Sequence, residues 1–117
     1  MALEDVTAEL SSPERAYWYA IGVIQGRFPQ GEAVIAQDAG YAYHYALHII
    51  RGRFPQGEEA IAQDAGYAYW YAIYVIKDRF PEGEAVIAQA PMSALYYYND
   101  FKDQFTEHER VLWLLKI

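Results

Sequence analysis

The chain has 117 residues, 54% hydrophobic and 21% charged, which is typical of one globular domain rather than of a disordered chain. A net charge of −7 without clustered cations argues against nucleic-acid binding, and the absence of cysteine excludes disulfide scaffolds, thiolate metal sites and cysteine nucleophiles. Uncharged runs such as Ala16 to Gly26 are shorter than the roughly 20 residues of a membrane span, and the acidic start does not resemble a signal peptide, so we expect a cytoplasmic protein without membrane contact.

The first predicted element is a short capping helix within residues 1–11. Leu3, Val6 and Leu10 are spaced so that they fall on one side of a helix. Such a stripe would cover the end of a larger apolar core.

Residues 12–89 consist of three near copies of one unit. Phe-Pro-Gln-Gly-Glu at 28–32 returns at 54–58 and, with one change, at 80–84, so the unit is 26 residues long. The predicted units are residues 12–37, 38–63 and 64–89.

Each unit is predicted to open with a long helix, and the second unit shows why. Asp38 is placed as its N-cap. Gly52 is placed to end the helix as a C-terminal cap residue, with Arg51 in the last turn. Between them lies the apolar stripe of an amphipathic helix, formed by Ala42, Tyr45, Ala46, Ile49 and Ile50.

A short helix completes the unit. Pro55 suits its first turn, Glu58 complements its dipole, and it runs to about Gln63. Helices this short are not stable alone in water, so the units must stack. The sequence therefore predicts an all-α fold, a right-handed α-solenoid of helix-turn-helix repeats that forms one domain over residues 1–117.

A degenerate fourth unit, residues 90–117, is predicted to cap the C-terminal end. Its segment 102–109 matches 77–84 at an offset of 25, so one residue has been lost within its long helix. Thr106 and Glu109 form a predicted capping box ahead of an apolar run that includes Trp113.

Residues that never vary between the units are candidates for the fold. The tyrosines at 19, 45 and 71 are predicted to pack in the core, and those at 17, 43 and 69 to be half-buried. Arg27, Arg53 and Arg79 also repeat, as do Glu32, Glu58 and Glu84. They could clamp a substrate, but the spacing favours an ion pair across the turn or to the adjacent unit.

Residues that vary while remaining large are candidates for binding a protein partner. They fall on one side of the long helices, and Trp18, His44 and Trp70 would align as a ladder. We call this set the variable face: Trp18, Tyr41, His44, His48, Arg51, Tyr67, Trp70 and Tyr74. The same side could equally pack against another copy of the chain or against the terminal helices.

Catalytic motifs are not found, so the chain is predicted not to be an enzyme and to need no cofactor. His44 and His48 have the spacing of a helical zinc pair, but no His-Glu-x-x-His motif surrounds them. They are a weak metal candidate, and an incidental pair of surface histidines is favoured.

The third unit reads Asp-x-x-Tyr-Ala-Tyr-x-Tyr-Ala at 64–72 and Val-Ile-Lys-x-Arg-Phe-Pro-Glu-Gly-Glu at 75–84. This pattern resembles a tandem repeat of bacteriophage, giant-virus and some bacterial proteins. Ser-Pro-Glu-x-Ala-Tyr-x-Tyr-Ala at 12–20 is similar to the usual opening of that repeat. The resemblance implies a helical repeat protein of viral or bacterial source, in the host cytoplasm if virus-encoded, and implies no activity.

The favoured function is a non-catalytic protein-interaction module that binds a protein partner through the variable face. The alternative is a structural homo-oligomer that self-associates through that face or through Trp113 and its neighbours. Near-identical units would also suit a consensus-designed scaffold without a ligand. An enzyme is the weakest alternative, since only the histidine pair supports it.

Overall fold

The computed structural model describes residues 6–117, and in this part the chain is helical and has no strand. None of the helices there has both the length and the apolar character needed to cross a bilayer. The α-helices of the described part are α1 (Pro13–Tyr19), α2 (Glu32–Ile35), α3 (Ala39–Tyr45), α4 (Glu58–Ile61), α5 (Ala65–Trp70), α6 (Pro81–Ile87), α7 (Pro91–Phe101) and α8 (Glu107–Lys116).

The long helices begin at side-chain caps. Asp38 Oδ1 accepts the N–H of Tyr41 at 2.9 Å, which confirms the predicted N-cap, and Asp64 and Ser12 cap α5 and α1 in the same way. Ala90, before α7, offers no such side chain, and Pro91 takes the first helical position there.

Helices α1, α3 and α5 widen into π-helical turns at their C-terminal ends, over Ala20–Ile24, Ala46–Ile50 and Tyr71–Ile76. In the second, the N–H groups of Arg51 and Gly52 both donate to the Ala46 carbonyl, at 2.7 and 3.2 Å. Helix α7 instead remains α-helical and ends in the 3-10 turn Lys102–Gln104. A π turn holds one residue more than an α turn, which accounts for the offset of 25 in the fourth unit.

The C-terminal cap prediction was wrong by one position. Arg51, not Gly52, has the left-handed conformation, with φ 62°, and no glycine of the described part has a positive φ. The two i+5 and i+6 bonds to Ala46 draw the chain back at Arg51, so Gly52 already belongs to the loop. Gln25 and Lys77 occupy the same position after the other two π turns.

The short helices follow the predicted plan with one difference in their first turn. Pro29–Gly31 and Pro55–Gly57 are 3-10 turns that lead into α2 and α4, whereas α6 is α-helical from Pro81. The second short helix ends at Ile61, close to the predicted end at Gln63. The capping box of Thr106 and Glu109 at the start of α8 is confirmed, with both hydrogen bonds present.

The core is a row of equivalent side chains along the molecule. Tyr45 and Tyr71 are fully buried as predicted, and Tyr97 of α7 continues their row, whereas Tyr19 is half-buried. Tyr17 and Tyr43, predicted to be half-buried, are buried, while Tyr69 is half-buried. The buried alanines, phenylalanines and isoleucines also recur, at Ala16, Ala42, Ala68 and Ala94, at Phe28, Phe54 and Phe80, and at Ile35, Ile61 and Ile87.

The molecule is elongated. Its principal extents are 60 × 20 × 17 Å, and its radius of gyration is 16.4 Å, whereas a compact domain of this length has about 13 Å. Contacts join each helix mainly to its neighbours along the chain. At the N-terminal end, residues 7–10 form a turn in which the Leu10 N–H donates to the Val6 carbonyl at 3.0 Å. The rest of the predicted capping helix, including Leu3, lies outside the described residues.

Candidate functional site

The repeated arginines and glutamates form ion pairs across each turn. Arg53 donates through Nε and Nη2 to the two oxygens of Glu58, at 2.8 and 2.9 Å. Arg27 with Glu32 and Arg79 with Glu84 make the same two-pronged contact. The arginine fork is occupied by a neighbouring carboxylate, so the ion pair across the turn that the spacing favours is confirmed.

A tyrosine from the following long helix completes each ion pair. The Tyr71 hydroxyl donates to Glu58 Oε2 and accepts the N–H of Phe54, both at 2.7 Å. We call this arrangement the Arg–Glu–Tyr triad. It recurs as Arg27, Glu32 and Tyr45, and as Arg79, Glu84 and Tyr97.

The protonation states in the triad follow from these contacts. Burial, together with the hydrogen bond to Glu32, raises the pKa of Tyr45 to about 12. The hydrogen bonds from Arg27, and then from Tyr45, lower the pKa of Glu32 below its usual value. Near neutral pH the triad of Arg27, Glu32 and Tyr45 therefore holds a carboxylate and a neutral phenol, and its polar groups are used within the protein.

At the C-terminal end one arginine serves two carboxylates. Arg79 binds Glu84 and also donates to both oxygens of Glu109, at 2.9 and 3.2 Å. Its guanidinium lies over the Phe105 ring, 4.1 Å from the centroid. The fourth unit has Gln104 at its own arginine position, so Arg79 substitutes for the missing cation.

The variable face is largely exposed. Trp18 is 57% exposed, Trp70 44% and Tyr74 56%, and His48 and Arg51 are also exposed. Tyr41, His44 and Tyr67 are half-buried. A patch of large exposed apolar side chains marks an interaction surface more often than a single such residue does, and tryptophan and tyrosine are among the residues that most often anchor interfaces.

The aromatic rings of this face are connected through the invariant tyrosines. Trp18 contacts Tyr17, which also contacts His44, with centroids 5.3 and 6.4 Å apart. Trp70 contacts Tyr43 at 6.1 Å. The three residues of the predicted ladder, Trp18, His44 and Trp70, therefore contact one another through Tyr17 and Tyr43 rather than by direct ring stacking.

Part of the face forms an open groove of about 540 Å³ between the starts of α3 and α5 and the side of α1. We call it the aromatic groove. Its aromatic lining consists of Tyr17, Trp18, Tyr41, His44 and Tyr67. Asp38 and Asp64 also line it, and no lysine or arginine does.

The remaining residues of the face lie beside this groove. Trp70 packs edge-on to Tyr67 at 5.6 Å. His48 and Arg51 line another surface groove with Gln25. The structure thus brings Trp18, Tyr41, His44 and Tyr67 together and leaves the others around them.

The two histidines of the weak metal candidate lie side by side on one helix. His44 and His48 lie parallel, with ring centroids 5.5 Å apart. Burial, and then the charge of His48, lowers the pKa of His44. Among the described residues no group of three or more histidine, aspartate or glutamate side chains could hold a metal ion.

The predicted variable face omits five residues that line the aromatic groove, which are Tyr17, Asp38, Ala39, Gly40 and Asp64. Tyr17 was assigned to packing and Asp38 to capping, and both residues do serve those roles. A search for positions that vary between units passes over them because tyrosine repeats in all three units and aspartate in two.

No protein-family model, curated protein or solved structure matches the chain at a significant level.

Proposed function

We propose that the chain is a right-handed α-solenoid of the three units 12–37, 38–63 and 64–89 with the degenerate cap 90–117. The recurrence of the Arg–Glu–Tyr triad supports this architecture, since each triad joins a turn to the long helix of the next unit. The elongated shape also supports it.

We further propose that this scaffold is a non-catalytic interaction module, which binds a protein partner through the variable face. The main support for this proposal is that Trp18 and Trp70 are exposed at and beside the aromatic groove. The polar groups of the triads, by contrast, are used internally. The likeness of the unit to viral and bacterial repeats supports a viral or bacterial source, and a cytoplasmic location belongs to the same proposal.

Affinity capture from the source cell with paired variants tests this function. The double variant Trp18→Ala/Trp70→Ala should lose the captured protein by at least tenfold, about 1.4 kcal/mol. Its thermal stability should change little, because both side chains are exposed. Leu115→Ala, at a 78% exposed residue of α8, is the matched control and should retain the partner. Equal capture by wild type and the double variant would contradict the proposal.

Self-assembly is the second candidate function, and the exposed leucine side chains of helix α8 support it. Trp113, predicted as a self-association residue, is instead buried, and its Nε1–H donates to the Ala94 carbonyl at 3.0 Å. The neighbouring Leu112, Leu114 and Leu115 are exposed. An apolar patch of this kind can join two copies of a chain.

Light scattering after size exclusion separates the two candidates. A dilution-resistant oligomer that dissociates with Leu115→Ala would establish self-assembly, whereas a strict monomer would exclude it. A strict monomer that also captures no partner would leave the consensus scaffold as the better description.

A further inference from the structure

The aromatic groove combines ring faces with carboxylates in a way that fits a cation. Five aromatic side chains line it, and Tyr17 holds Tyr41 and Trp18 close together, with centroids 5.5 and 5.3 Å from its own. The negative face of an aromatic ring attracts a guanidinium or ammonium group within about 6 Å of its centroid.

The two groove aspartates keep an acceptor atom for such a group. Asp38 and Asp64 each use Oδ1 to cap a helix. Within the described residues neither Oδ2 accepts a protein hydrogen bond, and neither carboxylate forms an ion pair. Both residues are exposed, so an incoming donor can reach them.

The negative charge of the groove favours a positively charged partner. The lining of the groove includes two acidic residues and no lysine or arginine, and the whole chain carries a net charge of −7. An acidic segment would be repelled from this groove, whereas a basic one would be attracted to it from a distance.

The groove occurs where two neighbouring units both begin with an aspartate followed three residues later by a tyrosine. Asp38 with Tyr41 and Asp64 with Tyr67 satisfy this pattern. The first unit has Ser12 and Arg15 at these positions, and the fourth has Ala90 and Ser93. The groove therefore takes its two aspartates from the second and third units, while the first unit adds Tyr17 and Trp18 from the side of α1.

We infer that the aromatic groove binds an arginine or lysine side chain of a basic peptide segment, with the cation against the Trp18 and Tyr41 rings and the carboxylates of Asp38 and Asp64. The inference rests on the proposed function and specifies its partner. Arginine and lysine side chains both carry the positive charge that the groove requires, and matched peptides distinguish a guanidinium from an ammonium group.

The probe is a fluorescein-labelled Gly/Ser peptide that carries arginine, and its binding to the full chain is measured by fluorescence anisotropy at low and at physiological salt. Matched peptides carry lysine, or the neutral arginine isostere citrulline, at the same positions. We expect the arginine peptide to bind at least tenfold more tightly than the citrulline peptide, with weaker binding at higher salt. If the lysine peptide binds as tightly as the arginine peptide, the groove recognises only the positive charge. If the arginine peptide binds more tightly, stacking of the guanidinium on the aromatic rings also contributes.

Conservative variants locate the site. Asp38→Asn/Asp64→Asn keeps both helix caps, since asparagine is as good an N-cap as aspartate, but removes both charges. It should weaken arginine-peptide binding about tenfold, as should Trp18→Ala. The control Glu59→Gln/Glu107→Gln changes the net charge equally at exposed residues elsewhere and should bind nearly as well as wild type.

Two results would overturn the inference. One is equal binding of the citrulline and arginine peptides, and the other is an equal loss in the aspartate variant and in the glutamine control. Neither result bears on the proposed function, which fails if the chain captures no cellular partner or if Trp18→Ala/Trp70→Ala captures it as well as wild type does. The two failures are therefore distinguishable.

Discussion

A single hydroxyl group links successive units, because a phenol can donate and accept at the same time. Tyr71 donates to Glu58 and accepts from the Phe54 N–H, and both partners belong to the preceding unit. Phenylalanine at this position could fill the same space but could satisfy neither partner. The fully buried tyrosines are thus explained by hydrogen bonding as well as by packing.

Tyr71→Phe is therefore expected to lower the free energy of unfolding by about 1–3 kcal/mol, because the buried Phe54 N–H loses its acceptor. Denaturant unfolding followed by circular dichroism measures the change. Tyr74→Phe removes the same hydroxyl from an exposed ring of the next helical turn and should stay within about 0.5 kcal/mol of wild type. Equal stabilities of the two variants would show that the triad hydrogen bonds contribute no net stability.

At the scale of the element, the start of the short helix and the long helix of the same unit approach each other closely at a glycine. A Cβ added at Gly57 would lie 2.7 Å from the Phe54 ring and 2.8 Å from the Ala42 Cβ. Gly83 faces Phe80 and Ala68 at similar distances. Glycine is required at these positions for proximity, since neither has a positive φ.

Gly57→Ala should destabilise the protein by about 1–3 kcal/mol, because the added methyl group would lie 2.8 Å from the Cβ of the buried Ala42, which cannot move without its helix backbone. Gly52→Ala is the matched control, since no heavy atom lies within 4 Å of its added Cβ, and should be neutral or stabilising by up to about 1 kcal/mol. Thermal unfolding of both variants provides the comparison. A similar melting temperature for the two would mean that the helices separate at low cost.

For the whole molecule, the triads should make stability depend on alkaline pH. Burial, and then a glutamate hydrogen bond, raises the pKa of Tyr45 to about 12 and also raises the pKa of Tyr71 and Tyr97. The unfolded chain loses these phenolic protons near pH 10, while the folded chain retains them. The folded state then binds more protons, so the stability present below about pH 10 is lost as pH rises toward about 12.

The free energy of unfolding should therefore fall steeply between about pH 10 and about pH 12. Denaturant titrations at several pH values measure the slope, and the Tyr71→Phe variant should show a shallower one because it has one fewer titrating phenol. An identical slope in the variant would assign the alkaline transition to other groups.

Much of the fold could be predicted from the sequence, because the signals involved are local. Helix caps at Asp38 and Thr106, the apolar stripe of the long helix and the ion pairs across the turns depend on residues a few positions apart. The sequence also shows that the fourth unit is one residue shorter than the others. It does not show that the shorter unit lacks the π turn of the other long helices. The exposed aromatic side of the long helices followed from comparing the units with one another.

Contacts between units required the tertiary structure. The partner of Tyr71 in the preceding turn and the pairing of Asp38 with Asp64 across one groove depend on how far the helices of adjacent units are displaced and rotated. A 26-residue period fixes which residues are equivalent, but not these displacements. They result from how the buried alanines and aromatic rings pack together, which is a property of the assembled units rather than of any one of them.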